Sequence, residues 1–244
     1  MSGHSKWATI KRKKAAIDAE RGKAFTRVIR ELTISAREGG SNPDGNPRLR
    51  RAVEDAKAVN MPADNITRAI KKGAGELEGV HYEEIVYEAY APGGTAVLIE
   101  TLTDNRNRTI SEIRHMISKR NGNLAEANSV GWMFERKGVI TIDGEGIDED
   151  KLMEVAIEAG AEDVVGEEGM FEVYTAPHDL EPVLSAIEKA GIKIESGEAQ
   201  RVAKNKVKVE GSDARTLIGL LDALDEHDDV QKVWTNADIV EEDE

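Results

Sequence analysis

GVITIDGEGIDEDKLMEVAIEAGAEDVVGEEGMFEVYTAPHDLEPVLSAIEKAGIKI, residues 138–194, is the stretch whose reading decides the fold. Val139-Ile140-Thr141-Ile142 is a β-branched run that predicts a strand, and Asp148–Ala159 predicts a helix that opens on acids. Asp163-Val164-Val165 and Met170–Thr175 predict two strands joined by the turn Gly166-Glu167-Glu168-Gly169. Leu180–Ala190 is a second helix, and Ile192-Lys193-Ile194 begins a last strand. The order β-α-β-β-α-β is the split βαβ of a ferredoxin-like domain.

Working outward, the flanks complete each other. Lys206–Val209 and Val230–Thr235 predict strands around a helix at Ser212–Leu224, too little for a domain alone. On the other side, Ile85–Tyr90 and Thr95–Leu102 flank Pro92-Gly93-Gly94 as a β-hairpin. A helix at Asn105–Asn121 and a strand at Val130–Phe134 follow. Joined across the ferredoxin-like unit, these elements make one domain, so the expected boundaries are 80–136 with 205–244, and an insert at 137–204. Trp132 and Trp234 fall in predicted strands and are expected in the core.

Residues 1–79 predict a basic arm and a helical bundle. The first helix runs from about Ala15 to Arg37 and stops at Gly39-Gly40. Phe25, Val28, Ile29, Leu32 and Ala36 share one face, with Lys23, Arg27, Arg30 and Arg37 almost opposite. Ile34 interrupts the basic stripe, as a contact or a second packing edge. Asn46-Pro47 is an N-cap followed by proline at the first helical position, and Leu49, Ala52, Val53, Ala56 and Val59 form the apolar face behind it. A short helix with Ile66, Ala69 and Ile70 inward ends at Lys71-Lys72-Gly73. The fold class expected is α+β multidomain: a helical bundle plus two α+β domains, the third ferredoxin-like and inserted in the second.

Charge divides along the same lines. Up to Lys72 there are 17 Lys/Arg against 8 Asp/Glu, a balance of +9, within a chain of net −14. A basic head on an acidic body points to a polyanion partner. The candidate contacts are His4, Lys6, Trp7, Lys11, Arg12, Lys13, Lys14, Lys23, Arg27, Arg30, Arg37, Arg48, Arg50, Arg51, Lys71 and Lys72. Lys and Arg there would meet phosphates in a salt-dependent, largely sequence-blind way. Trp7 would stack on a base or dock on its own bundle.

Other chemistry finds little footing. With no cysteine there is no thiolate metal site, thiol nucleophile or disulfide, which fits a reducing cytoplasm. The five histidines lie in five separate segments, and none has a metal-type spacing. In the acidic loop at Asp143, Asp148 stands where a calcium loop needs glycine. Phosphate-cradling glycine loops, serine elbows and membrane-length apolar runs are not found. No metal, cofactor, small-molecule substrate or catalytic residue is therefore expected. For an enzyme, Asp104, Asn105 and Arg106 are the polar cluster to nominate, with helix capping as their structural role. An adaptor binding proteins through the ferredoxin-like unit is a third reading.

Several long strings resemble the YebC family, which includes mitochondrial translational activators of cytochrome oxidase. They are Gly3-His4-Ser5-Lys6-Trp7 with Ile10-Lys11, Asn46-Pro47-Arg48-Leu49-Arg50, Asn60-Met61-Pro62 with Asn65-Ile66, and Ala69-Ile70-Lys71-Lys72-Gly73. Leu102-Thr103-Asp104-Asn105-Arg106-Asn107-Arg108-Thr109 and Trp132-Met133-Phe134 extend the likeness over essentially the whole chain. It departs at Glu88-Ala89-Tyr90-Ala91-Pro92, where glycines are more usual at 89 and 91, and at Ala125-Glu126-Ala127-Asn128. The resemblance implies a helical domain and two α+β domains, the last inserted in the second. It also implies a probable DNA-binding transcriptional regulator, or alternatively a ribosome-associated translation factor that binds ribosomal RNA through the arm and first helix. The cytoplasmic location expected comes instead from the residues, a basic start with no apolar run behind it and early acids at Asp18 and Glu20.

Overall fold

The protein, seen in a computed structural model, is described over residues 19–77, 82–167 and 169–240, with side chains from residue 24 and excepting residue 167. Helices α1 (Ala19–Gly39), α2 (Pro47–Ala58) and α3 (Ala63–Gly73) bury Leu32, Ala36, Leu49, Ala52, Ala56, Met61, Ile66 and Ala69 together. Asn46 ties two of them. Its side chain accepts from Leu49 N at 3.1 Å as the N-cap of α2 and donates to Ser35 O at 2.8 Å and Gly40 O at 2.9 Å at the end of α1. The close approach of α1 and α3 depends on Gly73, where an added Cβ would lie 2.1 Å from Thr33 O.

The central sheet draws on distant parts of the chain. β1 (Glu83–Ala91) and β2 (Thr95–Thr103) form the hairpin, followed by α4 (Arg106–Lys119) and β3 (Asn123–Leu124). After the insert come β8 (Val207–Val209), α7 (Gly211–Asp225), β9 (Val230–Thr235) and β10 (Ala237–Ile239). The sheet order is β3-β1-β2-β9, all antiparallel, while β8 and β10 pair in parallel separately. Tyr87, Ala89, Val97, Ile99 and Val233 on one sheet face pack with Ile113 and Ile117 of α4 and Leu217, Leu220, Leu221 and Leu224 of α7. One core therefore serves segments on both sides of residues 132–206.

Those residues fold as β4 (Phe134–Asp143), α5 (Glu149–Glu158), β5 (Ala161–Glu167), β6 (Met170–Thr175), α6 (Leu180–Lys189) and β7 (Ile194–Ala203). Their antiparallel sheet has the order β5-β6-β4-β7, the ferredoxin-like arrangement, and Ile140, Ile142 and Val173 meet Leu152, Ala156, Val183 and Ile187 in a second core. The class is α+β multidomain, a helical bundle with two α+β parts. The chain divides into two compact units, Trp132–Lys206 and the remainder, the latter holding both the helices and the central sheet.

Two expectations are corrected at one place. Val130–Phe134 is not a strand: Gly131–Met133 is a single turn and β4 begins at Phe134. The cause is Glu88, a buried carboxylate that accepts from the backbone N–H of Asn128 (2.8 Å), Val130 (2.7 Å) and Gly131 (2.8 Å), withdrawing those donors from strand pairing. Burial raises the Glu88 pKa, but those N–H groups outweigh it and hold the carboxyl below its ordinary range. Trp132 just beyond is 63% exposed, not core, whereas Trp234 in β9 is buried.

Candidate nucleic-acid interface

The basic face of α1 can be followed from residue 24 onward. His4, Lys6, Trp7, Lys11, Arg12, Lys13 and Lys14 lie outside the described residues, as does the side chain of Lys23. Farther along, the stripe turns onto the protein itself. Ile34, which interrupts it, is 1% exposed and marks a second packing edge. Arg27 Nη1 is 3.5 Å from Asp225 Oδ1 in α7, and Arg37 Nη2 donates to Tyr82 O at 2.6 Å.

Arg30 is the deepest of them. Its Nη1 lies 2.7 Å from Asp229 Oδ1, donates to Leu102 O at 3.2 Å and to Asp228 O, and its guanidinium sits 5.6 Å from the centroid of the Tyr82 ring. Asp229, itself 1% exposed, is shared. Arg108 Nη2 approaches it at 2.9 Å, Thr109 Oγ1 donates at 2.6 Å, and Thr103 Oγ1 is 3.2 Å away. Burial pushes the Asp229 pKa up, but the Thr109 and Arg108 bonds and the charges of Arg30 and Arg108 hold it below the usual carboxylate value. Sequence reasoning missed Asp229 because its partners lie about 120 to 200 residues away in sequence. No local pattern carries such a contact.

Arg48 is likewise engaged, with Glu31 at 2.6 Å, Glu38 at 2.8 Å and Glu84. Its bond to Glu31 raises its pKa against the opposing effect of burial. Arg50, Arg51, Lys71 and Lys72 are exposed. Over residues 24–72 the chain has ten Lys/Arg against six Asp/Glu, and Arg27, Arg30, Arg37 and Arg48 are among those held by acceptors of the chain itself. Residues 1–23 hold seven against two. By sequence, the higher excess of cations thus falls in residues 1–23.

The nominated polar cluster caps a helix. Asn105 Oδ1 accepts from Arg108 N at 3.1 Å as the N-cap of α4, and Asp104 pairs with Arg108 at 2.9 Å. Glu112, His227 and Asp229 come together beside it at metal-like distances. The three are bonded to one another and to arginines. His227 Nδ1 accepts from Asp229 N at 3.1 Å, so Nε2 carries the proton and donates to Glu112 at 2.8 Å, and two guanidiniums already face Asp229. Among the described residues, no helix is long and apolar enough to cross a membrane.

A helical unit latched to an α+β core that carries a ferredoxin-like insert defines the class, and comparison defines the family. Residues 5–76 match the TACO1/YebC protein N-terminal domain, and residues 82–237 match the TACO1/YebC second and third domain. The chain belongs to the TACO1/YebC family. A probable transcriptional regulatory protein of Desulforapulum autotrophicum is 56% identical over 99% of this chain and 98% of its own length. Another of that description, from Geobacter sulfurreducens, is 55% identical over 98% of this chain and 96% of its own. The crystal structure of a conserved hypothetical protein from Aquifex aeolicus is similar at a TM-score of 0.83 and 50% identity, covering 94% of this chain and 95% of that one.

Proposed function

We propose that this chain is a non-catalytic, DNA-binding regulator of transcription in the cytoplasm. Its phosphate contacts are made by the cations of residues 1–23 and extended by Arg50, Arg51, Lys71 and Lys72. The charge distribution carries this reading: a strongly cationic leading segment adjoins a domain whose own arginines are largely satisfied, on a body that is otherwise acidic. The name shared by the relatives, probable transcriptional regulatory protein, supports the regulatory role. Arg27, Arg30, Arg37 and Arg48 serve instead to dock the helical unit.

Such binding is salt-dependent and weakly selective, because phosphate contacts place a protein without reading bases. The test is fluorescence anisotropy of a labelled duplex of about 20 base pairs across a salt series. Replacing Lys11, Arg12, Lys13 and Lys14 by Ala should lower the slope of log K against log salt by roughly 0.9 for each phosphate no longer neutralised. An unaltered slope discards the leading segment as the site. Preference for a structured RNA over the duplex, abolished in the same variant, would replace DNA with RNA as the target.

A further inference from the structure

The ferredoxin-like unit closes its sheet between β4 and β7, out to a bond from Lys204 N to Met133 O at 2.9 Å, and packs α5 and α6 on that sheet. Its charge is unevenly spread. Residues 143–168, which include α5, carry eleven Asp/Glu and one Lys. That lysine, Lys151, is turned aside, its Nζ donating to Ala190 O at 3.3 Å.

α5 shows an apolar pair where an amphipathic helix is ordinarily polar. Leu152 and Ala156 are its buried positions. At about 100° per residue, Asp150, Met153, Glu154, Ile157 and Glu158 fall away from them, and all five are exposed. Among the described residues six large apolar side chains are exposed, and Met153 (41%) and Ile157 (48%) are the two that share a helix. They stand one turn apart, so their side chains are neighbours.

The acids beside them lack what would offset them. Asp150, Glu154 and Glu158 follow one another at i, i+4 spacing, where like charges oppose the helix. Among the described residues no cation pairs with their carboxylates. Glu158 also closes α5, at the end where the carbonyls carry partial negative charge, and the last turn has no basic residue. One kind of neighbour relieves both features, bringing cations to the row and apolar carbon to Met153 and Ile157.

We propose that this face of α5 docks a basic, amphipathic protein segment. Its apolar side chains cover Met153 and Ile157, and its Lys or Arg side chains lie along Asp150, Glu154 and Glu158. A helix laid on such a face meets it with anchors at i, i+3 and i+4. Charge complementarity selects the occupant: a nucleic acid is repelled by the same row, and a bare metal ion would leave the apolar pair uncovered. The face uses none of the residues assigned to phosphate contacts, so it stands beside the DNA-binding reading rather than on it.

The experiment titrates the full chain into a labelled peptide of about 14 residues, made of Leu and Lys at amphipathic helical spacing, and reads anisotropy. Met153→Ser/Ile157→Ser should weaken binding roughly tenfold, through lost apolar contact. Glu154→Gln/Glu158→Gln should weaken it roughly threefold and flatten its salt dependence. A peptide with Ser in place of Leu should no longer distinguish the wild type from Met153→Ser/Ile157→Ser. Both double variants change exposed positions and should keep duplex affinity within about twofold of wild type. On peptide addition, backbone amide shifts should centre on residues 149–158. Shifts centred elsewhere, or equal peptide affinity in the wild type and both variants, overturn the site and leave the duplex reading standing. Self-association of the wild type that Met153→Ser/Ile157→Ser abolishes, measured by sedimentation, would give the face to a second copy of this chain and overturn the assignment to a foreign segment.

Discussion

Arg30 of α1 and Asp229 of the β9 edge, 199 residues apart in sequence, meet at 2.7 Å in a place that water scarcely reaches. The pair joins the helical unit to the central sheet. Removing one partner of a buried pair strands the other, which typically costs about 3–5 kcal/mol. Asp229→Ala should therefore lower the unfolding free energy by an amount of that order, measured by urea denaturation. Replacing Arg30 and Asp229 together should cost less than the sum of the single changes. Additive losses would show that the two side chains are not coupled.

Acid should find the same latch. Asp229 and Glu88 have folded-state pKa values below the ordinary 3.8 and 4.5. A depressed carboxyl contributes stability that is fully present above its unfolded value and is lost as pH falls through its folded value. Stability should thus hold from neutrality to about pH 5 and fall below about pH 4. Asp229→Asn should flatten that fall; an unchanged acid limb would assign it to other carboxyls.

Glu88→Gln keeps the shape but sets an NH₂ group against backbone donors. With a buried donor left unsatisfied, the expected cost is about 1–3 kcal/mol. Hydrogen exchange should quicken first at Asn128, Val130 and Gly131, the amides that the carboxylate holds. Uniform quickening over the whole protein would instead make Glu88 a global determinant.

Gly73→Ala should destabilise by roughly 1–3 kcal/mol through overpacking, since the methyl would meet Thr33 O at 2.1 Å. Gly40→Ala differs in kind: space is open there, and only the positive φ of 87° resists the side chain. Thermal unfolding of the two variants should rank Gly73→Ala as the more severe.

Arg48→Ala tests the division of labour on the helical unit. Its partly exposed ion pairs are worth at most about 1 kcal/mol together with their screening by salt, and duplex affinity should stay within about twofold of wild type. A flattened salt slope in this variant would return Arg48 to the interface.

What can be seen in the residues is what repeats locally. Asn46-Pro47 announces the start of α2, Pro92-Gly93-Gly94 the hairpin, and the βαββαβ succession the ferredoxin-like sheet, because caps, turns and periodic apolar positions are short-range facts. β3 and β10, two and three residues long, are too short to show a period. Trp132 escapes the pattern because a carboxylate 44 residues earlier, Glu88, organises the turn in front of it. The stripe of Arg27, Arg30 and Arg37 is visible as a stripe. That acids and carbonyls of α7, Tyr82 and the β9 edge meet it is not, since helical periodicity gives a face but not its neighbour.

The bond from Lys204 N to Met133 O, at 2.9 Å, has a consequence for how the chain reaches its native state. The central sheet must bring β2 and β9 together across an interruption of 75 residues, a long closure that is slow for a coil. Once β4 has zipped to β7, the entrance and exit of the interruption are neighbours, and the outer strands are separated by a far shorter effective loop. The inserted sheet thus acts as a clasp, and substitutions that slow its ladder should delay the formation of a core in which it takes no part.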